Sequence, residues 1–133
     1  MNREILFRGK RVEGGKWIYG YLSFFYIDNP GKGRIFSPKE VRSFDVISET
    51  VGQYTGLKDK NGVKIFEGDV LEGDLYDILD PGAKWKSEVV WGKFGWMCKG
   101  RQTLPMDEYD IREGEVIGNI YDNPELMEDK ENE

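Results

Sequence analysis

Hydrophobic residues along this chain fall in short bursts with a two-residue period, separated by glycine- and asparagine-rich corners. The central stretch, residues 51–73, reads VGQYTGLKDKNGVKIFEGDVLEG and shows the pattern most fully. Asn61-Gly62 is a two-residue turn signal, because a type I′ turn needs positive φ at both central positions and these residues tolerate it best. Val63, Ile65, Phe66 and Val70 follow as β-branched or aromatic positions. Gly68-Asp69 interrupts the run as a bulge or tight corner would, and Val70-Leu71 resumes it. A turn, a short strand, a Gly-Asp corner and a second short strand open a small, strongly bent barrel of SH3-like type. A plain β-hairpin with a kinked second arm has the same pattern.

Elsewhere the same periodicity predicts a first strand over residues 3–11, a turn at Val12-Glu13-Gly14-Gly15 and a second arm over 16–22. In that arm Trp17, Tyr19 and Tyr21 share one face and alternate with Ile18, Gly20 and Leu22. Either the three rings line the core, or they form an outer stacking surface with Ile18 and Leu22 turned inward. The apolar run continues over 24–27 to a turn at 28–31. Short strands follow over 33–36, stopped by Ser37-Pro38, and over 41–47, with one helical turn at 48–50. Residues 85–91 and 94–99 read as a hairpin about Gly92-Lys93, with Trp91 and Trp96 paired across it. Pro105 keeps residues 104–109 out of a central strand. A closing strand over 115–121 is broken at Gly118, which suggests a bend or a close backbone approach, and Asn123-Pro124 reads as an N-cap followed by proline at the first helical position. Residues from Met127 onward are expected to fray.

The expected class is therefore mainly β: an N-terminal antiparallel β-sheet segment (1–56) packed on an SH3-like barrel (57–124), then a short helix or acidic tail (125–133). No Pro/Ser-rich linker separates the parts.

VGQYTGLKDKNGVKIFEGDV resembles the signature block of the YopX family, small proteins of phages and prophages. FRGKR (7–11) with KWIYGYL (16–22) resembles the family's opening, and EVIGNIYDNPELM (115–127) its close. The likeness runs in order along nearly the whole chain; residues 74–84 and 100–110 match least. It implies a mainly β protein with an SH3-type barrel, and it brings no reaction that can be carried onto particular residues.

Composition narrows the chemistry. The 133 residues contain no histidine and one cysteine, which excludes imidazole-based triads, His-containing zinc sites and a four-thiolate zinc site within one chain. Neither GxxxxGK[ST] nor GxGxxG occurs. Cys98 has no internal disulfide partner, in keeping with a reducing compartment, and without a histidine base it reads as an inert buried thiol. No apolar run approaches the ~20 residues needed to span a bilayer, and Ile5-Leu6-Phe7 is too short for a secretory leader. The expected location is the bacterial cytoplasm, with no membrane contact and no cofactor.

Net charge is −6, unevenly laid out. Residues 1–66 carry 12 Lys/Arg against 7 Asp/Glu, a balance of +5; residues 67–133 carry 7 against 18, a balance of −11. Overall acidity argues against strong non-specific binding to duplex nucleic acid. The basic half suits an acidic partner, or pairing between halves or subunits; an acidic tail that merely aids solubility is the plainer reading.

Three functions are open. The favoured one is a non-catalytic module that binds a protein partner or itself, with Arg8, Lys10, Arg11, Lys16, Trp17, Tyr19 and Tyr21 as its candidate contact surface. The alternative is a nucleic-acid-binding accessory factor, because basic residues beside rings are what single-strand binders use. The third is an enzyme based on carboxylates, with Glu67 and Asp69 flanking Gly68; against it, short acidic side chains in such corners hydrogen-bond the backbone. Asp74, Asp77 and Asp80, spaced by three, suggest either a hard-metal site or a solvated loop. They lack the EF-hand pattern.

Overall fold

The computed structural model describes residues 4–25, 31–75, 78–92, 95–100, 103–105 and 113–128. It is mainly β, with two antiparallel sheets and helix limited to single turns. The chain divides into two compact units, Met1–Gly56 and Leu57–Glu133.

In the first unit, β1 (Phe7–Lys10), β2 (Trp17–Phe25), β3 (Lys32–Ser37), β4 (Arg42–Ile47) and β5 (Gly52–Lys58) lie in the order β4-β3-β2-β1-β5. Neighbouring strands pair antiparallel, as the hairpin connections β1–β2, β2–β3 and β3–β4 require, and β1 pairs antiparallel with β5 as well. The end of β1 also reaches β4: Arg11 bridges Val46, and the Val12 N–H donates to the Asp45 carbonyl at 3.1 Å. The sheet is thereby curled around its own core of Ile18, Ile35, Phe44 and Val46, with Phe7, Leu22 and Val51 packed against it. Gly9 faces this core, where a Cβ would stand 3.1 Å from Val46. A 3-10 turn (Ser48–Thr50) follows β4. Its buried Thr50 hydroxyl accepts the Lys10 N–H at 2.9 Å and donates to the Ile47 carbonyl at 2.6 Å, pinning the turn to β1.

In the second unit, β6 (Lys64–Phe66) neighbours β5, whose last residues belong to this unit. β7 (Asp69–Asp74), β8 (Lys84–Gly92), β9 (Gly95–Lys99), β10 (Thr103–Pro105) and β11 (Glu115–Asn119) form a sheet ordered β10-β9-β8-β7-β11. Among the described residues this sheet is open, with β10 and β11 as its edges, and Pro105 sits on the edge where proline is tolerated. Ile65, Leu71 and Val89 are fully buried, with Leu57, Trp85, Trp96, Cys98 and Val116 packed on them. Trp91 and Trp96 stand opposite one another and meet edge to face, 4.9 Å between centroids. Gly118 falls at a register shift against β7, the bend expected of it.

Buried carboxylates shape the corners of this unit. Asp59 accepts the N–H groups of Asn61 (2.8 Å) and Val63 (2.9 Å) on Oδ1 and that of Val116 (2.8 Å) on Oδ2. These bonds fold residues 60–62 into a three-residue loop: Gly62 donates to the Asp59 carbonyl at 3.0 Å and alone in the loop has positive φ, +79°. The expected type I′ turn at Asn61-Gly62 is thus replaced by a turn closed with a left-handed glycine, because Asp59 supplies a side-chain acceptor within the loop. At the next corner Asp69, 2% exposed, accepts the Phe66 N–H at 2.7 Å across Glu67-Gly68.

Two further readings change. β5 is a strand that sequence pattern did not single out, since Gly52, Gln53, Thr55 and Gly56 dilute its alternation. Asn123 does not cap a helix: Pro124–Met127 is a 3-10 turn, and the Asn123 Oδ1 instead accepts the Asn119 N–H at 3.4 Å. The turns expected at 28–31 and at Gly92-Lys93, and the fraying expected near the C-terminus, fall wholly or partly outside the described residues.

Asp59→Ala is expected to lower unfolding stability by about 2–3 kcal/mol in urea titration, because three N–H groups lose one acceptor; a change within experimental error would show that the carboxylate is dispensable. Val41, a β-branched residue at φ +55° and 76% exposed, carries backbone strain that glycine relieves. Val41→Gly is expected to stabilise the protein by about 1 kcal/mol, with thermal melting as the measure.

Candidate functional site

The candidate surface is built on β2. Its residues alternate as a strand must: Ile18 is 4% exposed and in the core, while Tyr19 and Tyr21 are 46% and 57% exposed on the opposite face. Gly20 lies in the inward series, where a Cβ would collide with the Phe36 carbonyl oxygen. Beyond it the register against β3 shifts between Leu22 and Phe24, a bulge with Ser23 as its extra residue. Leu22, opposite Ile35, packs inward; Phe24, opposite Arg34, is carried to the outer face and is 47% exposed. Rings from positions 17, 19, 21 and 24 therefore share one face. Of the two orientations open from sequence, the rings lining the core is excluded and the outward one is found.

The four cations separate. Arg8 and Lys10 stand opposite Tyr19 and Trp17 across the β1–β2 ladder and so share the ring face. The Arg8 guanidinium is 4.7 Å from the Trp17 centroid and the residue is 5% exposed; the Lys10 ammonium is 5.9 Å from the same ring. Arg11 turns elsewhere, 4.8 Å from the Phe44 centroid and 3.8 Å from Glu13. Arg42 approaches Phe44 as well, at 4.4 Å. Lys16 extends from the β1–β2 turn to Glu40 at 3.6 Å. The structure thus gathers Arg8, Lys10, Trp17, Tyr19 and Tyr21, and leaves Arg11 and Lys16 out of that cluster.

Sequence reasoning missed a cleft beside the rings. The β1–β2 ladder ends at Phe7↔Gly20 while β2 runs on beside β3. Residues 4–6 follow β5 instead, with the Leu6 carbonyl accepting the Tyr54 N–H at 2.7 Å. The divergence opens a cleft of about 470 Å³ lined by Glu4, Ile5, Leu6, Phe7, Tyr21 and Leu22. Ile5, 55% exposed, marks its mouth. Only the apolar run before Arg8 hinted at it.

The carboxylate candidates are placed differently. Asp69 serves the corner backbone, as its turn position suggested. Asp74 pairs with Lys84 at 2.9 Å where the two stand opposite in the β7–β8 ladder. Asp80 is exposed and Asp77 lies outside the described residues; among the described residues no three His, Cys, Asp or Glu gather to hold a metal. Cys98 is half-buried against the second core. Among the described residues no helix is long and apolar enough to cross a membrane.

A family model described as YopX protein matches residues 6–128. The chain belongs to the YopX family. A solved structure, that of protein EF1440 from Enterococcus faecalis, is similar to this YopX protein at 26% identity, covering 96% of this chain and 100% of that one, with a TM-score of 0.61. No match is found among curated proteins. The match takes in the ring face, the Asp59 loop and the Asp69 corner together.

The hydrogen bond from Lys84, reinforced by its charge, holds Asp74 below the ordinary 3.8, and the reciprocal bond holds Lys84 above 10.5. The pair is present at neutral pH. Asp74's share is complete above 3.8 and lost as pH falls through its depressed folded value; that of Lys84 is complete below 10.5 and lost as pH rises through its elevated one. Carboxyl NMR titration is expected to place the Asp74 midpoint below 3.8, and Lys84→Ala to return it toward that value. High salt should narrow the difference, since both groups face solvent. An unshifted Asp74 in the unaltered protein would rule the pair out in solution.

Proposed function

We propose that this YopX protein is a non-catalytic binding module, phage- or prophage-encoded and acting in the bacterial cytoplasm, whose first unit meets a protein partner through the outer face of β2. The observation that carries the reading is the row of Tyr19, Tyr21 and Phe24, each between 46% and 57% exposed, on an inner strand of a sheet. Contact surfaces favour large amphipathic rings, because they bury much area at small entropic loss. The cleft under Ile5 and Tyr21 adds a recess for a partner's side chain. The second unit, with short strands bent at Asp59 and at Gly68, belongs in this reading to the SH3-like barrels, and supports a contact function without supplying a reaction.

Catalysis has no part in the proposal: Asp59 and Asp69 are occupied by backbone N–H groups and Asp74 by Lys84. A second reading, single-stranded nucleic acid, is favoured by Arg8 and Lys10 beside Trp17 on the ring face. Protein ranks above it because Arg8 is buried, while Arg11 and Lys16 are directed to Phe44 and Glu40. Three of the four candidate cations are thus buried or engaged elsewhere, and are poorly placed to track a phosphate chain.

Tyr19→Ser with Tyr21→Ser should abolish recovery of a specific protein from host lysate while leaving the melting temperature nearly unchanged, since both rings are largely exposed. Labelled single strands at low salt supply the contrast. Retention of strands by the unaltered protein, lost in the double variant, would transfer the function to the second reading.

A further inference from the structure

We propose that Asn61 is a site of spontaneous covalent modification, deamidation through a succinimide ring, and that the Asp59 loop holds the reaction off while the protein is folded. The site belongs to the second unit, whereas the ring face on β2 belongs to the first.

Asn61 is the one asparagine of the chain that precedes glycine, and both residues are exposed to water. Glycine has no Cβ to shield its nitrogen from the preceding side chain, and its backbone adapts to a closing ring. In the reaction the Gly62 nitrogen gives its proton to water or hydroxide and attacks the Asn61 Cγ. A C–N bond forms, the Cγ–Nδ2 bond breaks, and Nδ2 takes up a proton and leaves as ammonia. Water then opens the succinimide at either carbonyl, leaving an aspartyl or an isoaspartyl linkage at position 61. Water is the only co-reactant.

The folded loop engages both reacting groups. The Gly62 N–H is donated to the Asp59 carbonyl at 3.0 Å, so the nucleophile is tied down. Asp59 Oδ1 accepts the N–H groups of Asn61 at 2.8 Å and Val63 at 2.9 Å, which fixes the backbone on either side of Gly62. The Asn61 Nδ2 donates to Glu115 Oε2 at 3.3 Å, and because a carboxylate only accepts, that bond sets the amide's orientation. Ring closure removes both ties: the Gly62 proton is given up and Nδ2 departs. The products do not restore them. An isoaspartyl linkage adds a methylene to the backbone between residues 61 and 62, so Asp59 Oδ1 no longer meets both N–H groups. An aspartyl product places a carboxylate beside Glu115 where an amide donor stood, and the two repel. The loop's remaining ties to the start of β11 then loosen: Lys60 N–H to the Gly114 carbonyl at 3.0 Å and Val116 N–H to Asp59 Oδ2 at 2.8 Å.

Incubation of the full chain at mildly alkaline pH, followed by peptide mapping and isoaspartyl detection with a carboxyl methyltransferase, tests this. Position 61 should convert at least about tenfold more slowly in the folded protein than in guanidinium chloride, since reaction then waits on local opening. Asp59→Ala, shown to be folded by circular dichroism, should convert at least about tenfold faster than the unaltered protein, and Glu115→Ala should convert faster as well. Glu115→Ala carries the comparison alone if Asp59→Ala does not fold. The isoaspartyl form, purified and refolded, should exchange its Val116 amide hydrogen at least about tenfold faster than the unaltered protein. Equal conversion in the folded and unfolded chains, or folded variants that convert no faster than the unaltered protein, overturns the protection by the loop. Absence of conversion at position 61 even in the unfolded chain overturns the site, and unchanged Val116 exchange overturns its effect on β11.

Discussion

Position 20 has no side chain, and the outer face of the first unit depends on that. The Phe36 carbonyl oxygen occupies the space a Cβ would take, so β2 and β3 lie close enough for Ile18 and Leu22 to meet Ile35 in one core. Once Ile18 is committed inward, the two-residue period leaves Tyr19 and Tyr21 no other side. The bulge at Ser23 then reverses the parity for the rest of the strand, and Phe24 joins them. A bulge-free β2 would have turned Phe24 toward the core.

The second unit meets the opposite problem. Its strands are short and its corners tight, so backbone N–H groups are left without ladder partners. Acidic and amide side chains take them. Asp59 serves three, and Asn119 accepts those of Tyr121 and Asp122 through its Oδ1. Asp69 takes the Phe66 N–H from inside the core boundary. Part of this unit's negative balance is thus structural, a set of acceptors rather than a field for cations. A count of acids along the sequence cannot make that distinction, because an Asp in a loop and an Asp accepting three N–H groups are the same letter.

The sequence carried the β class, the Trp91–Trp96 pairing, the bend at Gly118 and the shared side of Trp17, Tyr19 and Tyr21. Each rests on a local rule, the two-residue period or the steric freedom of glycine. What it left open was non-local. Which side of β2 is wet depends on Gly20 meeting a carbonyl on β3, and the turn type at Asn61-Gly62 on a carboxylate that also holds β11. The cleft was invisible for the same reason: it exists because residues 4–6 follow β5 rather than β2. β5 has a local signal of another kind, since a hairpin turn at residues 60–62 requires an arm on its N-terminal side.

Cations beside rings have two physical readings, and geometry separates them. A cation that must find phosphate is most effective when its head is hydrated and movable. Arg8 is neither: it is buried, with its guanidinium 4.7 Å from the Trp17 centroid. It lies against the indole, while Tyr19 and Tyr21 present area beside it. Aromatic rings, with few rotatable bonds, lose little freedom when covered, which is the condition for a contact to gain from its apolar area. Such a face suits a surface of matching shape better than a flexible polyanion, and for that reason the proposal sets a protein partner ahead of nucleic acid.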